Sequence, residues 1–459
     1  MWSEHSPSCA GGQESKFRLK LYWNMCTPAV AACFRARAAA AAAARHKYHP
    51  AAPSPFLAHA VLACARARTC AMKLVRGAYA CMAGATCVAA VAPSLMPTNS
   101  YMIIMAACLV YIGAHLSLNN LTVEAMTSSD AASLPLVALG GLATLFLLFK
   151  YMNAVWVNRV LAGYFVVIGI STLPEVLESL LPRRWLQPLQ RRHVTPMLSI
   201  PFLGKVQLTA ADVLLYAIAA ALSLWYGVTK HWVANNILAA AFCISGIQRI
   251  AVNSWGMCSA ILAALFVYDI VMVFGTPMMV TVATKVDGPI KILCPRGVSD
   301  PWGRPAFSLL GLGDIVMPGL LLALLMRFDA TAYLRSLRAS GSAQEEHTPA
   351  SLLMTDFFRP LFMSTWVAYV AGLMATVLVM LAWEAAQPAL LYLVPAVVIT
   401  SALTALVLGR ASALWHYDDA HYAEQFDTAE EVTPPVAASG EAATGAAARE
   451  TETAHVKSE

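Results

Sequence analysis

The chain has 459 residues, of which 59% are hydrophobic and 12% charged, with a mean hydropathy of +0.61. Soluble domains carry about a quarter charged residues, so this composition belongs to a membrane protein. A net charge of +5, unevenly spread and without any RNA- or DNA-reading motif, gives no reason to expect nucleic acid as a partner. Eight of the 11 cysteines precede residue 109, and Cys243, Cys258 and Cys294 are far apart, so neither a disulfide framework nor a zinc spacing emerges. No metal or cofactor is expected.

Residues 1–98 form an Ala-rich basic extension with the run Ala38 to Ala44. Within it, Met72-Lys73-Leu74-Val75-Arg76 is a basic start, Gly77 to Ala89 is apolar, and Ala90-Val91-Ala92 is a small-x-small sequence, the layout of a signal peptide over 72–92. The alternative is an accident of Ala-rich composition. Residues 99–413 hold nine stretches long enough to cross the bilayer as helices: 101–118, 131–149, 155–173, 209–227, 233–249, 255–274, 307–326, 363–383 and 388–408. An all-α bundle of nine transmembrane helices is therefore expected. The segment 414–459 is acidic and aperiodic and reads as a disordered tail.

Basic residues set the orientation. With a lumenal amino terminus, the cytosolic side holds Arg183, Arg184, Arg191, Arg192, Lys205, Arg327, Arg335, Arg338, Arg359 and Arg410, against fewer basic residues opposite. The carboxyl terminus is then cytosolic. The sequon Asn120-Leu121-Thr122 also falls on the cytosolic side and should stay unmodified.

Ionisable side chains inside spans are costly and mark function. Asp269 sits mid-span in Leu265 to Phe274, and Asp314 lies between small residues in Leu310 to Gly319. The two spans are consecutive, hence antiparallel, and the acids lie roughly 8 and 10 Å from the ends that share a loop. Two carboxyls brought together in a low-dielectric site cannot both ionise, and a pair sharing one proton is what aspartyl proteolysis requires. Gly311 and Gly313 free space beside Asp314 for a close helix approach or an extended peptide. Pro388 after Gln387 opens the ninth span, either as an ordinary helix start or to leave backbone free for another partner.

Tyr268-Asp269, Gly311-Leu312-Gly313-Asp314 and Pro388-Ala389-Leu390, in this order on the sixth, seventh and ninth spans, resemble the signature of the presenilin and signal peptide peptidase family. Phe274 to Pro277, Met279 to Ala283, Pro289-Ile290-Lys291, Gln387 to Pro395 and His231 to Asn236 are similar to its signal peptide peptidase branch. The resemblance runs from about residue 99 to 418 and implies a presenilin-like bundle. It implies that Asp269 and Asp314 are catalytic, that Tyr268 positions Asp269 or the peptide, and that Pro388 to Leu390 border the site. Substrates would be transmembrane segments of type II orientation, notably leftover signal peptides, in the endoplasmic reticulum membrane. Lipid is the other implied partner, and a homo-oligomer is allowed. The end Val456-Lys457-Ser458-Glu459 lacks the dilysine retrieval signal of many members.

A further expectation is that Met279-Val280-Thr281-Val282 pairs with unwound substrate as an added strand. The competing readings are a proton-coupled transporter and a catalytically silent membrane scaffold or chaperone. There is no HExxH, and none of the 11 histidines lies deep in a span to serve a serine nucleophile.

Overall fold

The computed structural model describes residues 70–92, 96–119, 124–126, 128–181, 183–192, 198–200, 204–206, 209–275, 282, 285–299, 305–339, 352, 357–383, 387–419 and 422. These belong to one compact unit, Cys64–Glu459; the other, Met1–Ala63, with the Ala-rich run, lies outside the described residues.

In chain order the elements are α1 (Cys70–Val91), α2 (Thr98–Leu116) with a 3-10 turn (Ser117–Asn119), β1 (Glu124–Met126), α3 (Ser128–Tyr151), α4 (Ala154–Leu180) and α5 (Arg183–Gln190). There follow β2 (Leu198–Ile200), β3 (Gly204–Val206), α6 (Ala210–Thr229), α7 (Trp232–Arg249), β4 (Ile250–Val252) and α8 (Trp255–Gly275). The last are β5 (Lys291–Ser299), β6 (Pro305–Gly311), α9 (Gly313–Ala339), α10 (Pro360–Trp383), α11 (Leu390–Val407) and α12 (Ala411–Trp415).

Each of the nine expected spans overlaps a helix, but the count of nine does not follow from length and apolarity. Among the described residues eight helices are long and apolar enough to cross a membrane; α1 joins them, while α3 and α7 do not. The reason is visible in α7: Asn235, Asn236 and Ser245 are buried within the protein, so this helix has little need to be apolar. Cys70–Val91, read from sequence as part of a signal peptide, is a helix with Val75, Met82, Ala85 and Ala89 buried, and Tyr79 Oη lies 2.9 Å from Ser179 Oγ of α4.

The bundle is built around α2 and α9, each with 83% of its span buried inside the protein, against 22–33% for the other spans. Lipid is as apolar as Leu, so the exposed Val160, Tyr164, Leu224 and Leu378 of the outer helices need no protein cover. What holds α2, α7 and α9 together is close backbone approach. Ile247 of α7 fills the space left by Gly113 and Gly319: a Cβ at those positions would come within 2.9 and 2.6 Å of its side chain.

The seventh span differs from expectation. Residues 305–311 are not helical but form β6, antiparallel to β5 with Lys291 opposite Gly311 and Cys294 opposite Ser308. Pro305 and the glycines at 311 and 313 are poor helix formers, and the ladder supplies the backbone partners that hydrocarbon cannot. Asp314 is therefore in the first turn of α9, and the depth of seven helical residues expected for it does not exist. Two further short pairings, β1 parallel to β4 and β2 antiparallel to β3, join three residues a strand, and the architecture is the all-α membrane bundle expected. Order also continues past residue 413, because Leu414, Tyr417, Asp419 and Tyr422 are buried against the bundle.

Substituting Gly319→Val should lower the thermal midpoint in detergent by several degrees, equivalent to about 1–3 kcal/mol of overpacking. Gly163→Ala, where an added Cβ meets nothing within 4 Å, should leave it unchanged or raise it.

Candidate intramembrane active site

Asp269 lies on α8, six residues before its end, and is 4% exposed. Its partner comes from the element that the Pro388-Ala389-Leu390 sequence opens. Pro388 and Ala389 leave α11 without a side-chain cap; the Leu391 and Tyr392 amides turn to Pro388 O and Ala389 O at 3.3 and 3.2 Å, and the Leu390 amide is left for another acceptor. That acceptor is Asp269: the Leu390 N–H donates to Oδ2 at 3.1 Å. The positive end of a helix thus faces the acid, a favourable place for a carboxylate. Both readings of Pro388 hold together, since it starts the helix and leaves an amide free for the site.

Asp314 is within electrostatic reach of Asp269. It is placed by a strand that ends at Gly311 and a helix that begins at Gly313. A Cβ on Gly311 would lie 3.5 Å from Asp314 Oδ2, while one on Gly313 would meet nothing within 4 Å. Gly313 therefore permits access rather than close packing, and Asp314 keeps some exposure on that open side. The Leu312 N–H donates to Ile290 O at 3.0 Å, tying the turn to the preceding loop. Tyr268 lies partly buried against the core, within electrostatic reach of Asp269; Gln387 is partly exposed beside the buried Pro388.

The structure adds residues that the sequence reading passed over. Pro318 cannot donate to the carbonyl four residues before it, which is that of Asp314. The freed oxygen is met by the buried Tyr369 of α10, whose hydroxyl donates to it at 3.5 Å. A Pro four residues after a suspected catalytic acid is a signal that could have been read. Asn235 and Asn236 of the His231 to Asn236 segment hold β5: Asn235 Nδ2 donates to Lys291 O at 2.8 Å, and Asn236 both donates to Leu293 O (2.7 Å) and accepts from Leu293 N–H (2.9 Å). They anchor the hairpin that delivers Asp314. Cys294, in the same strand, is 1% exposed; burial pushes its thiol up to about 11, which disfavours the reactive thiolate. Of Met279 to Val282, only the buried Val282 lies within the described residues.

The acids that a proton relay would need are used elsewhere. Glu175 pairs with Arg249, Glu178 accepts from Gln190 Nε2 at 3.0 Å, and Asp212 forms a capping box with Thr209. Glu384 lies outside the described residues. A cleft of about 540 Å³ between α4 and α6, lined by Asn158, Arg159, Gly163, Leu224, Lys230 and Asp287, involves neither Asp269 nor Asp314.

The fold and site define a multi-pass membrane protein that keeps two carboxyl groups, on consecutive helices, within reach of each other in an apolar bundle. A family model described as signal peptide peptidase matches residues 118–421. Signal peptide peptidase of Mus musculus is 33% identical over 312 residues, covering 65% of this chain and 75% of that protein. Signal peptide peptidase of Homo sapiens is 32% identical over 307 residues with the same coverage. Intramembrane protease 2 of Caenorhabditis elegans is 36% identical over 233 residues, covering 50% and 48%. The chain belongs to the signal peptide peptidase family of intramembrane aspartic proteases.

An amide-to-ester replacement at Leu390, which deletes the N–H without changing shape, should lower kcat about tenfold, as expected for a charge-assisted bond of about 1.5 kcal/mol. Turnover assays and the affinity of a transition-state-analogue inhibitor should fall together. Tyr369→Phe should lower kcat less, by about threefold, because its acceptor is a backbone carbonyl.

Proposed function

We propose that this protease uses Asp269 and Asp314 as its catalytic pair to cleave transmembrane segments of type II orientation, above all remnant signal peptides, within the endoplasmic reticulum membrane. The observation that carries the reading is the Leu390 N–H of α11 donating to Asp269 Oδ2 at 3.1 Å, with Asp314 at the start of the next helix within electrostatic reach.

Asp269, facing the Leu390 N–H, is the better placed to hold negative charge, so it is the base that takes a proton from the attacking water. Asp314, partly open beside Gly313, is the acid that protonates the scissile carbonyl oxygen. Water oxygen bonds to the carbonyl carbon, and a tetrahedral diol results. The proton now on Asp269 passes to the amide nitrogen as the C–N bond breaks, and the diol returns a proton to Asp314 with release of acid and amine. The pair ends as it began, holding one proton between two carboxyls.

A transmembrane helix hides its amides in its own hydrogen bonds, so the peptide must unwind before it can react. Among the described residues β6 is paired on one edge only, by β5, and runs straight into Asp314. An unwound substrate adding to the other edge would be delivered to the acids as a strand. The lumenal amino terminus and cytosolic carboxyl terminus rest on the distribution of basic residues.

Either Asp269→Asn or Asp314→Asn should lower cleavage of a labelled signal peptide by detergent-solubilised protein at least about a thousandfold while leaving insertion intact. Substantial turnover in either variant would refute the pair, and a scaffold would keep its activity in both. Leu309→Pro in β6 should slow cleavage of a full transmembrane substrate more than it weakens a small active-site inhibitor. A glycan found on Asn120 would reverse the orientation.

A further inference from the structure

The segment after α11 turns back onto the bundle and joins elements that the catalytic chemistry needs in register. Asp419, 6% exposed, faces Arg327 of α9, 1% exposed: Arg327 Nε donates to Oδ1 at 2.9 Å and Nη2 lies 2.6 Å from Oδ2. The backbone of the same residue reaches the other catalytic helix, since Asp419 N–H donates at 2.8 Å to the carbonyl of Asn253, two residues before α8 begins. Tyr417 secures the carboxylate from a second side. Its hydroxyl donates to Asp419 Oδ1 at 3.1 Å and lies 3.5 Å from Thr331 Oγ1, and its ring packs on Phe328 with centroids 5.2 Å apart. Tyr422 closes the strap on the end of α2 by donating to Leu118 O at 3.1 Å.

One residue therefore ties the start of α8 to the middle of α9, on the side of the acids that lies away from the β5/β6 hairpin. Arg327 is thirteen residues beyond Asp314, and Asn253 sixteen before Asp269, so the tie sits roughly 20 Å from the carboxyls along both helices. A helix is stiff along its axis, and sliding α8 against α9 at one end moves the acids past each other at the other. Apolar helix contacts carry no directional bond, whereas a planar guanidinium paired with a carboxylate holds its partner in a defined orientation. Burying such a pair gains little stability over an apolar pair of the same size, so the feature it adds is direction.

We propose that Asp419, through Arg327 and the Asn253 carbonyl, is a positioning residue that sets the axial offset of α8 and α9 and hence the spacing of Asp269 and Asp314. The inference rests on those two residues being the catalytic pair. If Asp269→Asn or Asp314→Asn keeps turnover, that reading fails; the experiment below can fail while both remain inactive.

The test uses full-length protein in detergent with a labelled signal peptide. Asp419→Asn should lower kcat about tenfold with KM within about twofold, and weaken a transition-state-analogue inhibitor by a similar factor, because that inhibitor needs both carboxyls at their proper separation. Asp419→Glu, which can still reach Arg327, should recover most of the loss. If Asp419→Asn fails to fold, the double variant Arg327→Met/Asp419→Leu removes both charges together; it should fold and still show the kcat defect. Wild-type kcat in either folded variant, a loss confined to KM, or a failure of Asp419→Glu to recover would overturn the proposal.

Discussion

A carboxyl group inside a bundle surrounded by hydrocarbon persists only where something replaces the water it has lost. For Asp269 that replacement is the amino-terminal end of α11, whose Leu390 amide has no other acceptor. The exchange serves both parties, because a helix end buried without a cap is itself unfavourable. Lengthening α11 backwards by one turn, or giving it a side-chain cap, would remove the donor. The Pro388-Ala389 pair prevents the first, and the absence of a Ser, Thr, Asn or Asp at Ala389 prevents the second.

The second acid is placed by a different device. β6 ends at Gly311 and α9 begins at Gly313, so Asp314 stands at a change of backbone geometry rather than in the middle of a helix. The strand is held through β5 by Asn235 and Asn236 of α7, and the helix by its burial along most of its length. Pro318 opens the ladder at Asp314, and Tyr369 meets the carbonyl it exposes. The site is thus assembled from α8, α9, α10 and α11 together with a hairpin, and none of these could present it alone.

The two halves of the molecule along α9 divide the work. Toward the hairpin, the helix begins beside Gly311 and Gly313 and is partly open, as the proposed site requires. Toward Arg327 it is closed by charge pairing with Asp419, aromatic packing on Tyr417 and the neighbouring Asp329, whose Oδ2 accepts from the Phe362 N–H of α10 at 3.1 Å.

Much of this was legible in the chain itself. Each of the nine apolar stretches overlaps a helix, and two acids in apolar surroundings with three ordered motifs pointed to the proposed catalytic pair, because an ionisable residue in hydrocarbon has few reasons to exist other than function. What the sequence could not fix were matters of partnership. Residues 307–311 are apolar enough to read as helix, and only their pairing with β5 makes them strand. Tyr417-Asp418-Asp419 looks like the start of a solvated tail, and only the presence of Arg327 opposite makes it core. Local composition determines which segments leave water; which backbone amide meets which carboxylate is decided by elements more than a hundred residues apart, as Leu390 and Asp269 are, and the folded bundle alone brings them together.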